Sequence, residues 1–322
     1  MRRTGFLYDE RFLLHKTGPG HPECPERLEV IYRALDEAGL ISKLIPIPAA
    51  PARTKWIERV HTPRHVFRVE EASLLYLDEL DCADNQMCPE TFETALLAVG
   101  GILTAMDYLM EGKIDNAFCA VRPPGHHAEA NRALGFCFFN NIAIAAKYLQ
   151  AEWDVERIAI VDFDVHHGNG TQQIFEEDPG VFYYSIHEHP SFSYPGTGRD
   201  FEKGTGAGLG TIRNSTLLPG QGDEEFKAKF QRDLLPAMDQ YKPEVLLVSA
   251  GFDAHVEDDM SDIRLSTQCF TWIGETVLGI ADKYCGGRIV SVLEGGYNLE
   301  VLPELIKNHV RILLDESGPG GA

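Results

Sequence analysis

The chain has 322 residues, of which 44% are hydrophobic and 24% are charged, and its formal net charge at pH 7 is -20. This composition supports a large buried core and excludes disorder over most of the length. The acidic surplus, with no run of Lys or Arg, excludes direct binding to the phosphate backbone of nucleic acids. An acidic surface either keeps a protein soluble or attracts cationic substrates.

Cysteine usage and the lack of apolar segments bear on localisation. Seven cysteines are scattered without a C-x-x-C pair, which favours a reducing compartment. The first residues include no apolar stretch of signal-peptide length, and no other stretch reaches membrane-spanning length. We therefore expect a cytoplasmic protein with no membrane association, and we expect the Gly-rich residues 317–322 to be frayed.

Short β-branched and aliphatic runs alternate with longer segments of helical period. In chain order, the predicted elements are helix 91–110, strand 116–121, helix 141–153, strands 157–161 and 181–185, helix 223–241, strand 244–249, helix 267–283, strand 288–293 and helix 300–314. This alternation predicts an α/β fold with a central, mostly parallel sheet. Gly- and Pro-rich stretches at 195–210 and 219–222 are predicted surface loops. Because no change of composition separates the halves, we predict one domain over residues 1–322.

Unusual polar residues directly follow every predicted strand. They are RPPGHH at 122–127, DFDVHHGNG at 162–170, SIH at 185–187, GFD at 251–253 and EGGY at 294–297. The functional crevice of a parallel sheet lies beyond the carboxyl ends of its strands. These five segments are therefore expected to meet in one place.

A candidate metal site begins with Asp162, Asp164 and His166, whose spacing of two projects them to the same side of an extended segment. Any one of them alone is better explained as a turn or capping residue, but unpaired buried carboxylates would be costly. A hydrolytic metal needs three protein ligands and one open position, and Asp253 after another strand completes such a set. Asp162 would then lie behind the ligands. Two carboxylates and one imidazole suit zinc, iron(II) or cobalt.

Groups for proton transfer are predicted near the same site. His126 and His127 follow a Pro-Pro-Gly turn, and hydrolysis of an amide needs one group to deprotonate water and one to protonate the leaving amine. Tyr297 follows two glycines, whose permissive backbone lets a phenol approach and donate to an oxyanion opposite the metal. Each pattern alone is commonly structural, and their shared position favours catalysis.

Seven ordered motifs resemble the arginase/deacetylase superfamily, and specifically its histone deacetylase branch, over residues 18–314. The motifs are HPECPERL at 21–28, RPPGHHA at 122–128, GFCFFN at 135–140, DFDVHHGNGT at 162–171, YPGTG at 194–198, SAGFD at 249–253 and EGGY at 294–297. The resemblance implies a three-layer α/β/α fold of the arginase/deacetylase type and a zinc-dependent hydrolase that releases acetate from an acetylated amine. It places the zinc on Asp164, His166 and Asp253.

The resemblance also implies roles for the neighbouring polar residues. The metal and Tyr297 would polarise the acetyl carbonyl, and His127 would act as general base and then general acid. His126 would act mainly through its charge, hydrogen-bonded to Asp162. Asn169 would orient His127. An asparagine at this position resembles the class II branch and should leave the imidazole less basic than an aspartate would.

Potassium sites and a substrate channel follow from the same resemblance. One potassium ion would be bound at Asp162, Ser185 and Ile186, and a second at Phe175, Asp178 and Val181. A narrow acyl-lysine channel would be formed by Gly135, Phe136 and Tyr194, with Asp84 at the rim to hold the substrate backbone. Met260 stands where polyamine-specific relatives have an acidic residue.

Acetyl-lysine in a protein or peptide is the expected substrate, and three other readings stay open. An acetylpolyamine amidohydrolase is favoured by the net charge and needs an acidic group at the channel mouth, such as Glu188 or Asp84, whereas Met260 argues against it. A binuclear manganese hydrolase of the arginase type would need a second ligand set, such as Asp253 with His255. A non-catalytic acetyl-lysine reader would have kept the fold and lost the chemistry. A monomer and a homo-oligomer are both open.

Overall fold

The computed structural model describes residues 2–316, and the tail predicted to be frayed, 317–322, lies outside that range. The strands are β1 (Thr4–Leu7), β2 (Ile45–Pro46), β3 (Glu79–Leu80), β4 (Cys82–Gln86), β5 (Asn116–Cys119), β6 (Ile158–Asp162), β7 (Val181–Glu188), β8 (Ile212–Leu217), β9 (Val245–Ala250) and β10 (Ile289–Leu293). The helices are α1 (Glu26–Glu37), α2 (Thr54–Ile57), α3 (Pro63–Leu74), α4 (Thr91–Met110), α5 (Asn141–Glu152), α6 (Asn169–Phe175), α7 (Asp223–Tyr241), α8 (Thr267–Tyr284) and α9 (Leu302–Leu313).

Eight of the strands within residues 2–316 form one parallel sheet in the order β2-β1-β5-β10-β9-β6-β7-β8. Its five central strands are buried along their whole length, as expected for a parallel sheet covered by helices on both faces. The remaining two strands, β3 and β4, pair antiparallel in a separate hairpin. The predicted α/β fold with a central parallel sheet is confirmed.

All five predicted strands and all five predicted helices are present, with ends shifted by at most three residues. The largest shift is at β7, predicted to end at 185, which continues to Glu188 because its last residues pair with β8. Strand β1, second from one end of the sheet, and the edge strand β8 were missed. The first has four residues, and the second, IRNSTL, is too polar to read as a buried run.

Helices α1 and α3 were also missed, although both carry readable signals. Helix α1 buries Leu28, Ile31 and Leu35, which recur with a helical period. Helix α3 begins with the Thr62 side chain accepting a hydrogen bond from the His65 N–H and with Pro63 at the first helical position.

One helix in the described range, α4, is long and apolar enough to cross a membrane. The expectation that no stretch reaches that length was therefore wrong. However, 78% of its apolar window is buried inside the protein. The physical reason for its composition is that it is packed on several sides, against α5, α3 and the sheet, so most of its positions are buried and apolar.

Sheet order explains why distant motifs meet. The five central strands, β5, β10, β9, β6 and β7, are adjacent and parallel, so all five loops at their carboxyl ends lie along one edge. These are the five loops in which the sequence analysis found clustered polar residues.

Candidate active site

Three predicted metal ligands converge between β6 and β9. One ligand atom from each of Asp164, His166 and Asp253 lies within 4.8 Å of the others, and all three residues are buried. The Nδ1 of His166 lies 3.2 Å from Asp164 Oδ1 and 3.1 Å from Asp253 Oδ2. Strand β6 ends at Asp162, so the loop that follows it, rather than strand alternation, aims Asp164 and His166.

Backbone amides hold the two carboxylates in place. Asp164 Oδ2 accepts a hydrogen bond from the Gly295 N–H at 2.8 Å, and Asp253 Oδ1 accepts one from the Val165 N–H at 3.0 Å. A side chain at Gly295 would overlap both carboxylates, so only glycine allows this close approach. The carboxylates are therefore fixed before any ligand arrives.

Charge at this cluster fits a divalent cation. Within residues 2–316, no Lys or Arg side chain forms an ion pair with Asp164 or Asp253, and both share His166. Burial lowers the pKa of His166, but its hydrogen bonds to the two carboxylates outweigh burial and raise the pKa to about 10. Burial beside Asp164 raises the pKa of Asp253 to about 6. Both shifts reflect a local deficit of positive charge, which a cation with one open coordination position would balance.

The predicted histidine pair lies beside this cluster with two contrasting charge states. The Nδ1 of His126 lies 3.1 Å from Asp162 Oδ2, to which only an N–H can donate. Burial lowers the pKa of His126, but Asp162 and Asp164 raise it to about 10. His127, whose ring centroid is 4.0 Å away, has a pKa well below its usual value because of burial and the charges of His126 and His166. At neutral pH the pair therefore combines a cationic and a neutral imidazole.

Asn169, the predicted orienting residue, contacts His127 directly. Its Oδ1 lies 2.8 Å from His127 Nδ1, and its Nδ2 donates to Glu129 Oε1 at 2.8 Å. The structure therefore brings together the pair that the resemblance implied, and it adds Glu129, to which the sequence analysis gave no role.

Glu294 fastens the histidine turn to the end of β10. Its carboxylate accepts hydrogen bonds from the backbone N–H groups of Gly125 and His126, at 2.7 and 3.2 Å, and from the Ser249 hydroxyl at 3.0 Å. Burial raises the pKa of Glu294 to about 7. Glu294 stands in a predicted motif without a predicted role, because its partners lie in two distant segments, the loop after β5 and strand β9.

The loop that carries Tyr297 is held from both sides. The carboxylate of Asp258 accepts hydrogen bonds from the N–H groups of Tyr297 and Asn298, at 2.7 and 3.0 Å. The Arg27 guanidinium lies 4.7 Å from the centroid of the phenol ring. Burial raises the pKa of Tyr297 well above its usual value, so its hydroxyl remains a donor at neutral pH. No sequence signal pointed to Asp258, which lies in an acidic loop typical of solvent exposure.

A channel of about 380 Å³ leads from the surface to His127 and His166. The predicted channel residues all line it, together with Tyr297: Asp84, Gly135, Phe136, Tyr194 and Met260. Gly135 and Phe136 both have left-handed backbone, with φ of 53° and 69°. The Asn85 side chain stabilises this turn by accepting from the Phe136 N–H at 2.8 Å. A channel lined by aromatic side chains with polar groups at its inner end suits an apolar chain that carries a polar group at its tip.

Glu188 does not supply an acidic group at the channel mouth. It is the last residue of β7, where strand alternation turns it to the face opposite that of His187, and it is buried and does not line the channel. Of the two acidic groups considered for polyamine recognition, only Asp84 lines the channel.

The residues implied for potassium lie in two groups, one on the paired strands β6 and β7 and one between the end of α6 and the start of β7. Asp162 pairs in register with Ser185, which is followed by Ile186. In the second group, the Asp178 N–H donates to the Phe175 carbonyl at 3.0 Å and the Val181 N–H to the Asp178 carbonyl at 3.4 Å. Each set is close in space, and potassium itself stays a prediction.

The fold and the site place this chain among the α/β proteins that have a candidate metal centre at the carboxyl edge of a parallel sheet. Residues 21–313 match the histone deacetylase domain family. The histone deacetylase-like amidohydrolase of Pseudomonas aeruginosa is 36% identical over 94% of this chain and 83% of its own length. Histone deacetylase 14, chloroplastic, of Arabidopsis thaliana is 35% identical over 96% of this chain and 77% of its own.

A longer relative and a solved structure point to the same family. Histone deacetylase 5 of Arabidopsis thaliana is 36% identical over 98% of this chain, which spans 49%, or about half, of that relative. The crystal structure of the HDA15 HD domain matches with a TM-score of 0.93 and 35% identity over 98% of this chain and 89% of that one. The chain belongs to the histone deacetylase family, and this membership makes it a hydrolase domain of the deacetylase type.

Proposed function

We propose that the chain is a zinc-dependent amidohydrolase that releases acetate from N-ε-acetyl-lysine in proteins or peptides. The observation that carries the proposal is the channel lined by His166, a member of the Asp164–His166–Asp253 cluster, together with His127 and Tyr297. When bound to this cluster, zinc would supply a Lewis acid beside the acetyl carbonyl. Potassium at the two sites named above would be structural.

The chain's own residues would move the protons. His127, neutral at pH 7 and held through Nδ1, offers Nε2 to take a proton from water and to return it to the leaving amine. His126 stays cationic beside Asp162 and stabilises the negative charge that develops. The Tyr297 hydroxyl would donate to the oxyanion from the opposite side.

The channel would select the substrate. Phe136 and Tyr194 line it with aromatic surface that suits the four methylenes of a lysine side chain. Asp84 at the rim can accept a backbone N–H of a peptide. A cytoplasmic location stays a prediction, and a monomer and a homo-oligomer both stay open.

An acetylpolyamine is the second candidate substrate. Asp84 is an acidic group at the channel and could pair with a distal ammonium, and the net charge of -20 would attract such a substrate. Against it, Met260, which also lines the channel, offers no charge. This candidate therefore ranks second.

A side-by-side measurement tests both. We would measure kcat/KM of the zinc-loaded protein on an acetyl-lysine peptide and on N-acetylputrescine, with a chelator-treated sample as control. We expect the peptide to be preferred by about tenfold or more, the equivalent of ~1.4 kcal/mol. A preference for the polyamine would replace the first proposal with the second. Turnover that is absent on both, or insensitive to the chelator, would overturn both and favour a reader of acetyl-lysine.

A further inference from the structure

The amide of Asn169 lies between an imidazole and a carboxylate. Its Oδ1 faces His127 Nδ1 at 2.8 Å, and its Nδ2 donates to Glu129 Oε1 at 2.8 Å. A third, longer contact joins Nδ2 to the His127 carbonyl at 3.4 Å. A carboxylate can only accept, whereas the two ends of an amide differ, so Glu129 distinguishes the two orientations of Asn169.

A rotation of the amide by half a turn would reverse both contacts. The Asn169 oxygen would then face the Glu129 carboxylate, and two acceptors would repel at hydrogen-bond distance. The Asn169 NH2 group would face His127 Nδ1, which would have to become an acceptor. The proton of a neutral His127 would move to Nε2, the nitrogen that the reaction needs free. The orientation of one amide therefore sets the tautomer of the proposed base.

An aspartate in place of Asn169 would not need such help, since either of its oxygens accepts from Nδ1. The asparagine amide has two possible orientations, and the charge of Glu129 favours the one in which Oδ1 faces His127. Without Glu129, the 3.4 Å contact to the His127 carbonyl would be the one hydrogen bond of the Asn169 NH2 group left within residues 2–316 to favour the observed orientation. That contact is too long to be a strong determinant.

Glu129 is held in position by its own backbone. It begins a turn in which its N–H donates to the Arg132 carbonyl at 2.9 Å. The Glu129 carbonyl accepts from His61 Nδ1 at 3.0 Å, while His61 Nε2 accepts from the Asn140 N–H at 2.8 Å. The next residue, Ala130, is tied to helix α6 through the Gln173 side chain. The carboxylate is thus presented to Asn169 by an anchored turn.

We propose that Glu129 is a positioning residue that fixes the amide of Asn169 and, through it, the Nδ1–H tautomer of His127. The inference rests on the proposed amidohydrolase function, to which it adds a determinant of the base's proton position. Glu129 does not line the channel, so we expect it to act on proton transfer rather than on substrate binding.

Kinetics on an acetyl-lysine peptide provide the first test. Glu129→Ala should lower kcat by about tenfold, as expected for the loss of one charge-assisted hydrogen bond, with KM unchanged. Glu129→Gln can turn its own amide oxygen to Asn169 and should stay within about threefold of the unchanged protein. Glu275→Ala, at an exposed position on α8, is the matched control and should have no effect.

The same substitution in an Asn169→Asp protein distinguishes a loss of amide positioning from a general loss of structure. In an Asn169→Asp protein, either oxygen of the new carboxylate can accept from His127, so adding Glu129→Ala should not lower kcat further. An equal loss from Glu129→Ala in both backgrounds would mean that the turn, not the amide, is affected, and would overturn the proposal.

A readout independent of turnover is the 15N spectrum of the imidazoles in the zinc-loaded full chain, with His127 assigned by its loss in His127→Gln. We expect a protonated Nδ1 in the unchanged protein and in Glu129→Gln, and a mixture with protonated Nε2 in Glu129→Ala. Unchanged ring nitrogens in Glu129→Ala would refute the positioning role. Absence of turnover in the unchanged protein would instead refute the amidohydrolase function, while the spectra still decide the tautomer.

Discussion

Two buried polar clusters lie at the carboxyl edge of the sheet, and their charges differ. In the first, the Glu23 carboxylate contacts two guanidiniums, accepting from Arg122 Nη2 at 2.8 Å and from Arg27 Nη1 at 3.3 Å. Burial raises the pKa of Glu23, but Arg122 and the neighbouring His15 outweigh burial and hold it well below its usual range. All four residues are buried.

In the second cluster, Asp164 and Asp253 share His166, with no guanidinium or ammonium beside them in the described part of the chain. Buried charges are costly unless they are paired. The charge of Glu23 is balanced by the two guanidiniums, so we interpret this cluster as structural. The Asp164 cluster lacks a balancing positive charge, so we interpret it as a binding site. Substitutions in the two clusters should therefore have opposite effects on activity and stability.

Asp253→Asn should have the largest effect, on activity. It removes one anionic ligand, so we expect zinc content to fall and kcat/KM to drop by about 10³-fold, or ~4 kcal/mol. In chelator, the same change relieves carboxylate repulsion and should leave the unfolding free energy equal or higher by about 1 kcal/mol. Zinc analysis, steady-state kinetics and urea unfolding check this. A metal-free protein destabilised by several kcal/mol would contradict the comparison.

Arg122→Met should have the opposite profile. It leaves Glu23 buried with less compensation, so we expect a loss of about 3–5 kcal/mol in unfolding free energy. Urea unfolding of this variant should be compared with that of Glu23→Gln plus Arg122→Met. The double variant removes the uncompensated charge and should recover part of the loss. If Arg122→Met unfolds like the unchanged protein, the Glu23 cluster is not a structural ion pair.

Tyr297→Phe separates the catalytic role of the hydroxyl from the packing role of the ring within the site. The phenol ring packs against Phe136 and Arg27, and phenylalanine keeps that packing while removing the donor. We expect normal zinc content and stability, with kcat lower by about 10²–10³-fold, or ~2.7–4 kcal/mol. Kinetics with parallel zinc analysis make the measurement. Full activity in this variant would remove the hydroxyl from the proposed mechanism.

A smaller effect, on the pH dependence of stability, is expected at His309, which is buried outside both clusters. Burial lowers its pKa to about 4, and its only hydrogen-bond partner within residues 2–316 is the Ser291 hydroxyl at 2.9 Å. Between pH 6.5 and 4 the unfolded chain takes up a proton that the folded chain does not, so stability falls as pH falls through this window.

His309→Leu should make the unfolding free energy less dependent on pH in this window, by up to about 1.4 kcal/mol per pH unit. Urea unfolding at pH 6.5, 5.5 and 4.5 measures the slope. A variant whose slope overlaps that of the unchanged protein would exclude a contribution from His309.

The sequence by itself determined the parallel sheet, its five central strands and the convergence of the polar loops. It could do so because buried parallel strands are continuous aliphatic runs and because their carboxyl ends must share one edge. The same rule predicts that Asp164, His166 and Asp253 lie together. The resemblance to a family added Asn169 and the channel residues.

Only the tertiary structure decided the contacts that hold this site. Asp258, Glu129 and Glu294 act on backbone amides or on another side chain from distant loops, so their spacing along the chain carries no signal. The burial of Glu188 likewise depended on how far β7 pairs with β8. Contacts between distant loops depend on how the whole chain packs. The periodic spacing of apolar residues that predicts a strand or helix is a local property of the sequence.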